Sequence, residues 1–269
     1  MEVLSFSHLV SGKYSDIPFD LTIGVFDGMH RGHRKIVDAL LDSAKRDFAS
    51  SLIITFDRNP KRKGLPFLDS ENMRLEKFRS TGVDFLAVID FSPDFAKMSA
   101  LEFASLLSEN LYLKRLVVGR DFKCGCPSRQ LDGKGLAEAV SKPGMDVQVT
   151  FVDYLMLPDG ERISSSLIRE TLAKGDMEEY FLLSGQSFLV DMKVFPSSFR
   201  SGVLTISFSP QSQLLPSAGA YDATILDDDG SSFDGLLELD GQSGRFVFSS
   251  SLVGCRVERL KSLVIRRRR

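Results

Sequence analysis

The stretch Leu21 to His33, LTIGVFDGMHRGH, constrains this chain more than any other. Leu21 to Val25 is a short apolar run that suits an inner strand of a parallel sheet. A glycine-rich turn with Asp27, Gly28 and His30 follows, and the chain continues through Gly32 and His33 into an amphipathic pattern, Ile36, Val37, Leu40, Leu41 and Ala44. The order is strand, tight turn, helix N-terminus. Such a turn aims backbone N–H groups and the positive end of a helix dipole at a ligand above the sheet, so phosphate is the natural guest. Gly24, Gly28 and Gly32 allow the backbone to approach it closely. If the helix has begun by His30, His30 and His33 share its first-turn face and can donate to one phosphate group. The plainer alternative is a βα turn with two surface histidines. The whole chain has only 3 histidines, and two of them fall in this turn, which favours the phosphate site.

Beyond this unit, Ser51 to Phe56, Asp84 to Asp90, Arg115 to Gly119 and Val147 to Val152 read as further strands, the last alternating as an edge strand does. Helical patterns lie between them. Asp69-Ser70 can cap one running to about Arg79, Ser99 caps another through Leu107, and Gly135 to Val140 is a short third. Strands alternating with helices predict an α/β fold, a doubly wound, Rossmann-like parallel sheet built of right-handed crossovers. In such sheets ligands bind beyond the carboxyl ends of the strands. The loops to search therefore follow Val25, Phe56, Gly119 and Val152.

The loop after Phe56 combines strong turn residues with four cations, Arg58, Lys61, Arg62 and Lys63. The loop after Gly119 reads, on its residues alone, as a surface excursion anchored by Phe122. Ser164, Ser165 and Ser166 precede a helix as N-caps and anion donors, with Arg169 one turn further on; alone, this is most often a capped helix. Gly175 ends that helix, and Asp176 to Glu179 has capping-box spacing for the next.

These residues carry a family resemblance. Gly24 to His33 resembles the G-x-FDG-x-H-x-G-H signature of the FMN adenylyltransferase module of bacterial FAD synthetases. Val118 to Gly125 is similar to that family's V-G-x-D/N-F-x-F-G, and Ile163 to Arg169 to its I-S-S-T-x-I-R. Phe56 and Pro60 match an F-x-P-H-P pattern in which Arg58 and Asn59 replace the first proline and the histidine. The four motifs occur in the family's order over Leu21 to Phe188. The resemblance implies a nucleotidyltransferase that joins ATP and FMN into FAD and pyrophosphate. It implies catalytic roles for His30, His33, Ser164 and Arg169, and ATP contacts from Gly24, Phe26, Asp27, Gly28, Gly32 and Ser165. FMN would meet Phe56, Asn59, Asp121 and Phe122, and Mg²⁺ would accompany the ATP; no residue is assigned to the metal.

From about Leu189 helical periodicity gives way to short β runs: Val203 to Phe208, Ala220 to Leu226, Gly235 to Leu239, Arg245 to Phe248 and Cys255 to Leu260. A transferase domain over 1–188 and a small antiparallel, barrel-like domain over 189–269 are expected. In the bifunctional relatives this position holds a riboflavin kinase. Leu215 to Tyr221 resembles its L-P-x-x-G-x-Y element, and Leu252 to Val257 faintly resembles its later L-Y-G-x-x-V strand. Where the kinase has G-F-P-T-A-N this chain has Ser201 to Ile206, and no V-E-x-H stands near Glu238 or Asp240. The expectation is a shortened barrel without kinase activity. The alternatives are a bifunctional riboflavin kinase and FAD synthetase, or a flavin-binding protein without transferase chemistry.

A net charge of -2 gives no reason to expect nucleic acid as a partner, and Arg266 to Arg269 reads as a solvated tail or a binding arm. The 3 cysteines, two of them in Cys124-Gly125-Cys126, do not make a zinc site, and reduced thiols are expected. With no leader-like N-terminus and no apolar run near the roughly 18 residues of a membrane span, a cytoplasmic protein without a membrane partner is expected.

Overall fold

The computed structural model describes residues 1–60, 64–209, 212–241, 243–249 and 257–269. The chain forms two compact units: one comprises Met1–Phe26, Gly32–Lys63 and Glu76–Arg162, the other Asp27–Arg31, Gly64–Leu75 and Ile163–Arg269.

The first unit is built on a six-stranded parallel sheet of β1 (Glu2–Ser5), β2 (Pro18–Ile23), β3 (Ser50–Phe56), β4 (Phe85–Ile89), β5 (Tyr112–Gly119) and β6 (Gln148–Val152), in the order β1-β4-β3-β2-β5-β6. The four sequence-read strands and the first are all present, and β6 lies at an edge as its alternation suggests. β1, at the other edge, is too short to show a period. The central strands β2 and β3 are buried at nearly every position, which is why they read as continuous apolar runs. Leu21, Leu52, Ile54, Leu116 and Val118 belong to one core with Phe103, Leu107 and Leu136. The order reverses between β2 and β5, so the loops leaving these two strands border the crevice where open α/β sheets bind ligands.

Short α1 (Phe6–Leu9) follows β1, and α2 (Arg31–Asp47) follows β2. Then come α3 (Glu71–Arg79), α4 (Ala100–Asn110) and α5 (Gly133–Val140). Their starts follow local chemistry. Ser70 Oγ accepts from Met73 N at 3.2 Å, Ser99 and Glu102 form a reciprocal capping box, and Asp132 accepts from Gly135 N, starting α5 two residues before the expected Gly135. α6 (Ser165–Lys174) and α7 (Met177–Ser184) belong to the second unit. Ser164 and Asp176 cap their N-termini, and left-handed Gly175 and Gly185 close them.

The second unit also contains a seven-stranded antiparallel, barrel-like sheet. Its strands are β7 (Phe188–Asp191), β8 (Ser197–Arg200), β9 (Val203–Ser207), β10 (Gly219–Asp227), β11 (Ser232–Leu239), β12 (Ser243–Phe248) and β13 (Leu260–Arg268), in the order β7-β13-β10-β11-β12-β9-β8. Burial alternates along β9, β11 and β12, as expected of a sheet with one buried face. Two expectations are corrected. Arg266 to Arg268 are not a frayed tail: they complete β13, opposite Tyr221 and Asp222 of β10, and Arg269 Nε bonds Asp222 at 2.6 Å. Val257–Arg259, expected within the last strand, form a 3₁₀ turn, and the strand runs over Leu260–Arg268; Cys255, Arg256 and the rest of the Leu252 to Val257 resemblance lie outside the described residues. Lys61, Arg62 and Lys63 are likewise outside them. Among the described residues no helix is long and apolar enough to cross a membrane.

Candidate active site

The strand–turn–helix at the start of the chain is present, with its details moved. β2 ends at Ile23 rather than Val25, and α2 begins at Arg31, so His30 stands just outside the helix and does not share a helical face with His33. The cause is the backbone between them. Phe26 (φ 49°), Gly28 (φ 79°) and Met29 (φ 39°) all adopt left-handed conformations. Two of these are non-glycine residues, each strained and held by its surroundings. Backbone of this kind can form a concave cradle of N–H groups, the arrangement that an anion site uses. Close packing explains two of the glycines. A Cβ on Gly24 would lie 2.9 Å from the Phe26 ring, and one on Gly28 would lie 2.6 Å from Leu68 Cδ1.

In the second unit the cradle residues Asp27–Arg31 are tied down from several directions. Buried Asp27 accepts Leu68 N on Oδ1 at 2.8 Å. Its Oδ2 receives Arg169 Nη2 at 2.6 Å and Nε at 3.2 Å. The same Nη2 donates to Pro66 O at 2.6 Å. The two side chains are only 8% and 2% exposed, so the pair is a buried salt bridge. Ser165 Oγ donates to Asp27 O at 3.2 Å, and Gln186 Nε2 donates to Gly28 O at 3.2 Å. Arg31 Nη1 donates to Leu182 O at 3.1 Å. His30 is buried in this segment. Ser164 Oγ accepts from Leu167 N at 3.2 Å as the N-cap of α6, which leaves its hydroxyl proton available to a ligand oxygen. Asp27 therefore has both oxygens committed to orienting the turn, and Arg169 holds Asp27.

In the first unit, Gly24 and Phe26 leave β2, and Gly32 and His33 lie in the first turn of α2. The His33 ring meets Phe26 edge-on, centroids 5.3 Å apart. Thr55 Oγ1 donates to Val25 O at 3.2 Å, fixing the strand end. Because β3 and β5 flank β2, the loops carrying Phe56 with Asn59 and Asp121 with Phe122 leave the same edge of the sheet. Phe56 packs edge-on against Phe91 at 5.6 Å, and Phe122 packs on the core. In the loop where the family pattern changes, Arg58 is paired with Asp57 at 2.8 Å and Asp90 at 3.3 Å. Burial pushes the Asp57 carboxyl up, but bonds from Arg58 and Phe91 N outweigh it and hold the group below its ordinary range.

Several partners here were not legible beforehand. Arg162 pairs with Asp121 at 2.8 Å and lies 3.7 Å over the Tyr154 ring. Pro66, Leu68 and Gln186 act through backbone atoms or a lone amide, which leave no motif. Among the described residues no group of three or more His, Cys, Asp and Glu side chains is placed to hold a metal ion.

The doubly wound parallel sheet, with a strained glycine-rich turn leaving β2, is the fold of a nucleotidyltransferase. A family model described as FAD synthetase matches residues 15–167. A bifunctional riboflavin kinase/FMN adenylyltransferase of Escherichia coli (strain K12) is 30% identical over 217 residues, 77% of this chain and 67% of that protein. The proteins of the same description from Listeria monocytogenes and Pseudomonas fluorescens are 26% and 29% identical, over 79% and 81% of this chain and 69% and 71% of theirs. The chain belongs to the FAD synthetase family. The crystal structure of a macrolide-efflux protein from Streptococcus pneumoniae shares the fold, with a TM-score of 0.79 over 99% of this chain and 89% of that one at 18% identity.

Proposed function

We propose that this protein is an FMN adenylyltransferase that makes FAD and pyrophosphate from ATP and FMN and has no riboflavin kinase activity. The observation that carries the transferase reading is the left-handed run at Phe26, Gly28 and Met29, a strained anion cradle inside the segment matched by the FAD synthetase model.

The FMN phosphate is an anion at neutral pH. One of its oxygens attacks the ATP α-phosphorus, the new P–O–P link forms as the bond to the β-phosphate oxygen breaks, and pyrophosphate leaves. No protein nucleophile is required, so catalysis is alignment and charge neutralisation. His30, His33 and the Ser164 hydroxyl donate to the phosphates as charge moves onto the leaving group. Gly24, Phe26, Gly28 and Gly32 shape the ATP site, with Asp27, Ser165 and Arg169 fixing its geometry; Arg169 also lends positive charge. Phe56, Asn59, Asp121 and Phe122 receive the flavin nucleotide. Mg²⁺ enters as part of the substrate MgATP, held chiefly by phosphate oxygens and water.

Two features support the absence of kinase chemistry. Ser201 (φ 50°) and Gly202 (φ 80°) form a two-residue hairpin turn between β8 and β9, where the kinase motif would supply Thr and Asn. Glu238 faces Arg245 across the sheet at 3.5 Å. A bifunctional enzyme is the second reading, favoured by the description of the curated relatives. Chromatography of the pure protein with MgATP and either FMN or riboflavin tests both. FAD from FMN with no product from riboflavin is expected. FMN or FAD from riboflavin would establish the second reading, and no product from either would refute both.

A further inference from the structure

The second unit ties its β sheet to the cradle through one buried side chain outside every motif. Gln213 Nε2 donates to Leu68 O at 3.1 Å and to Leu189 O at 2.6 Å, while its Oε1 accepts Asp191 N at 3.1 Å. Three backbone groups from two distant segments are thus satisfied by one amide. The neighbouring bonds run the same way: Leu214 N donates to Phe67 O at 3.0 Å, and Ser70 Oγ donates to the buried Asp191 carboxylate at 2.5 Å. Leu68 is bonded on both sides. Its carbonyl goes to Gln213, and its N–H goes to Asp27 Oδ1, the carboxylate that also holds Arg169.

The two bonds are made by one residue on either side of a single Cα, so a displacement of Leu68 that follows loss of the donor to its carbonyl also moves the N–H that Asp27 accepts. Removing the Gln213 amide would also leave the buried Leu68 carbonyl without its side-chain donor, which favours a shift of residues 66–70. We infer that Gln213 is a positioning residue for adenylyl transfer, holding Leu68 so that Asp27 and Arg169 keep the phosphate cradle in shape. The inference rests on the transferase reading above and gives the C-terminal sheet a part in the reaction. It also predicts a selective defect. The bonds run from Gln213 to Asp27 and Arg169, which are assigned to the ATP side and lie in the same unit, whereas the residues assigned to FMN lie in the other.

The test compares Gln213→Met and Gln213→Glu with the unaltered protein by steady-state kinetics and by hydrogen exchange read on peptides. Gln213→Met should raise the KM for ATP about fivefold or more and lower kcat, with the KM for FMN within about twofold. Exchange should quicken at 66–70 and at 27–31. Gln213→Glu keeps the acceptor and regains a donor only when its acid is protonated, so its activity should climb toward that of the unaltered protein as pH falls, while Gln213→Met shows no such recovery. If Gln213→Met does not fold, the pH profile and ATP-against-FMN comparison of Gln213→Glu decide alone. Unchanged ATP parameters in a folded variant, or ATP and FMN KM values rising together, would overturn the inference. Failure of the unaltered protein to make FAD would count against the transferase reading instead. The link would then stand or fall on exchange at 27–31.

Discussion

The buried pair of Asp27 and Arg169 makes the sharpest energetic prediction. Asp27→Asn keeps an acceptor for Leu68 N but presents an amide to a guanidinium that has few other partners and cannot shed its proton. Removing one member of a buried pair costs about 3 to 5 kcal/mol, a large part of the roughly 5 to 15 kcal/mol that holds a domain folded. Arg169→Met leaves the opposite problem, a carboxylate with one remaining N–H donor. That variant has an escape, since an unpaired buried carboxylate can take up a proton. Its deficit should therefore shrink as pH falls from about 8 to 5, whereas that of Asp27→Asn should not. The double variant removes both charges and should be less destabilised than the two single losses added, by about 2 kcal/mol or more. Urea unfolding of all four proteins at several pH values, followed by far-ultraviolet circular dichroism, measures this directly. Single losses that add to within about 0.5 kcal/mol would refute the reasoning, because the charges would then not be coupled in solution.

Other consequences follow from the same geometry. His33→Ala should lower turnover about a hundredfold if the imidazole donates to the migrating charge, and a folded variant with near-normal turnover would remove it from that role. Asp20 is fully buried in β2, with Arg115 Nε at 3.8 Å committed to Asp47 at 2.8 Å. Burial, with repulsion from Asp47, pushes its carboxyl from 3.8 up to about 6, against the opposing pull of Ser43 and Arg115. A raised acid is neutral when folded at low pH, so its favourable contribution is complete below about 4 and is lost by pH 7, a change of about 3 kcal/mol. Asp20→Asn should flatten that part of the stability profile in a series of melts across pH; parallel profiles would contradict it. Burial pushes the Cys124 thiol up to about 12, whereas Cys126, though partly desolvated, is lowered by Ser128 and Arg129. Iodoacetamide labelling read by mass spectrometry should therefore mark Cys126 well before Cys124, and equal labelling would show that the loop opens.

What could be read along the chain is what local chemistry controls. The fully buried strands β2 and β3 declare themselves as apolar runs because both faces are covered. Ser99, Ser164 and Asp176 announce helix starts because a cap and the N–H it satisfies are three residues apart. The glycine-rich turn announced a tight connection from strand to helix, which is present. Tertiary structure decided the rest. Left-handed Phe26 and Met29, which no propensity favours, delay α2 to Arg31 and separate His30 from the helix face. A basic C-terminal run that looks solvated in sequence becomes β13, because β10 offers it hydrogen bonds and Asp222 offers charge. The partners of Asp27 come from Leu68 and Arg169, and the partner of Leu68 from Gln213. Such bonds join segments far apart in the chain, and their energy depends on burial that exists only once the chain has folded.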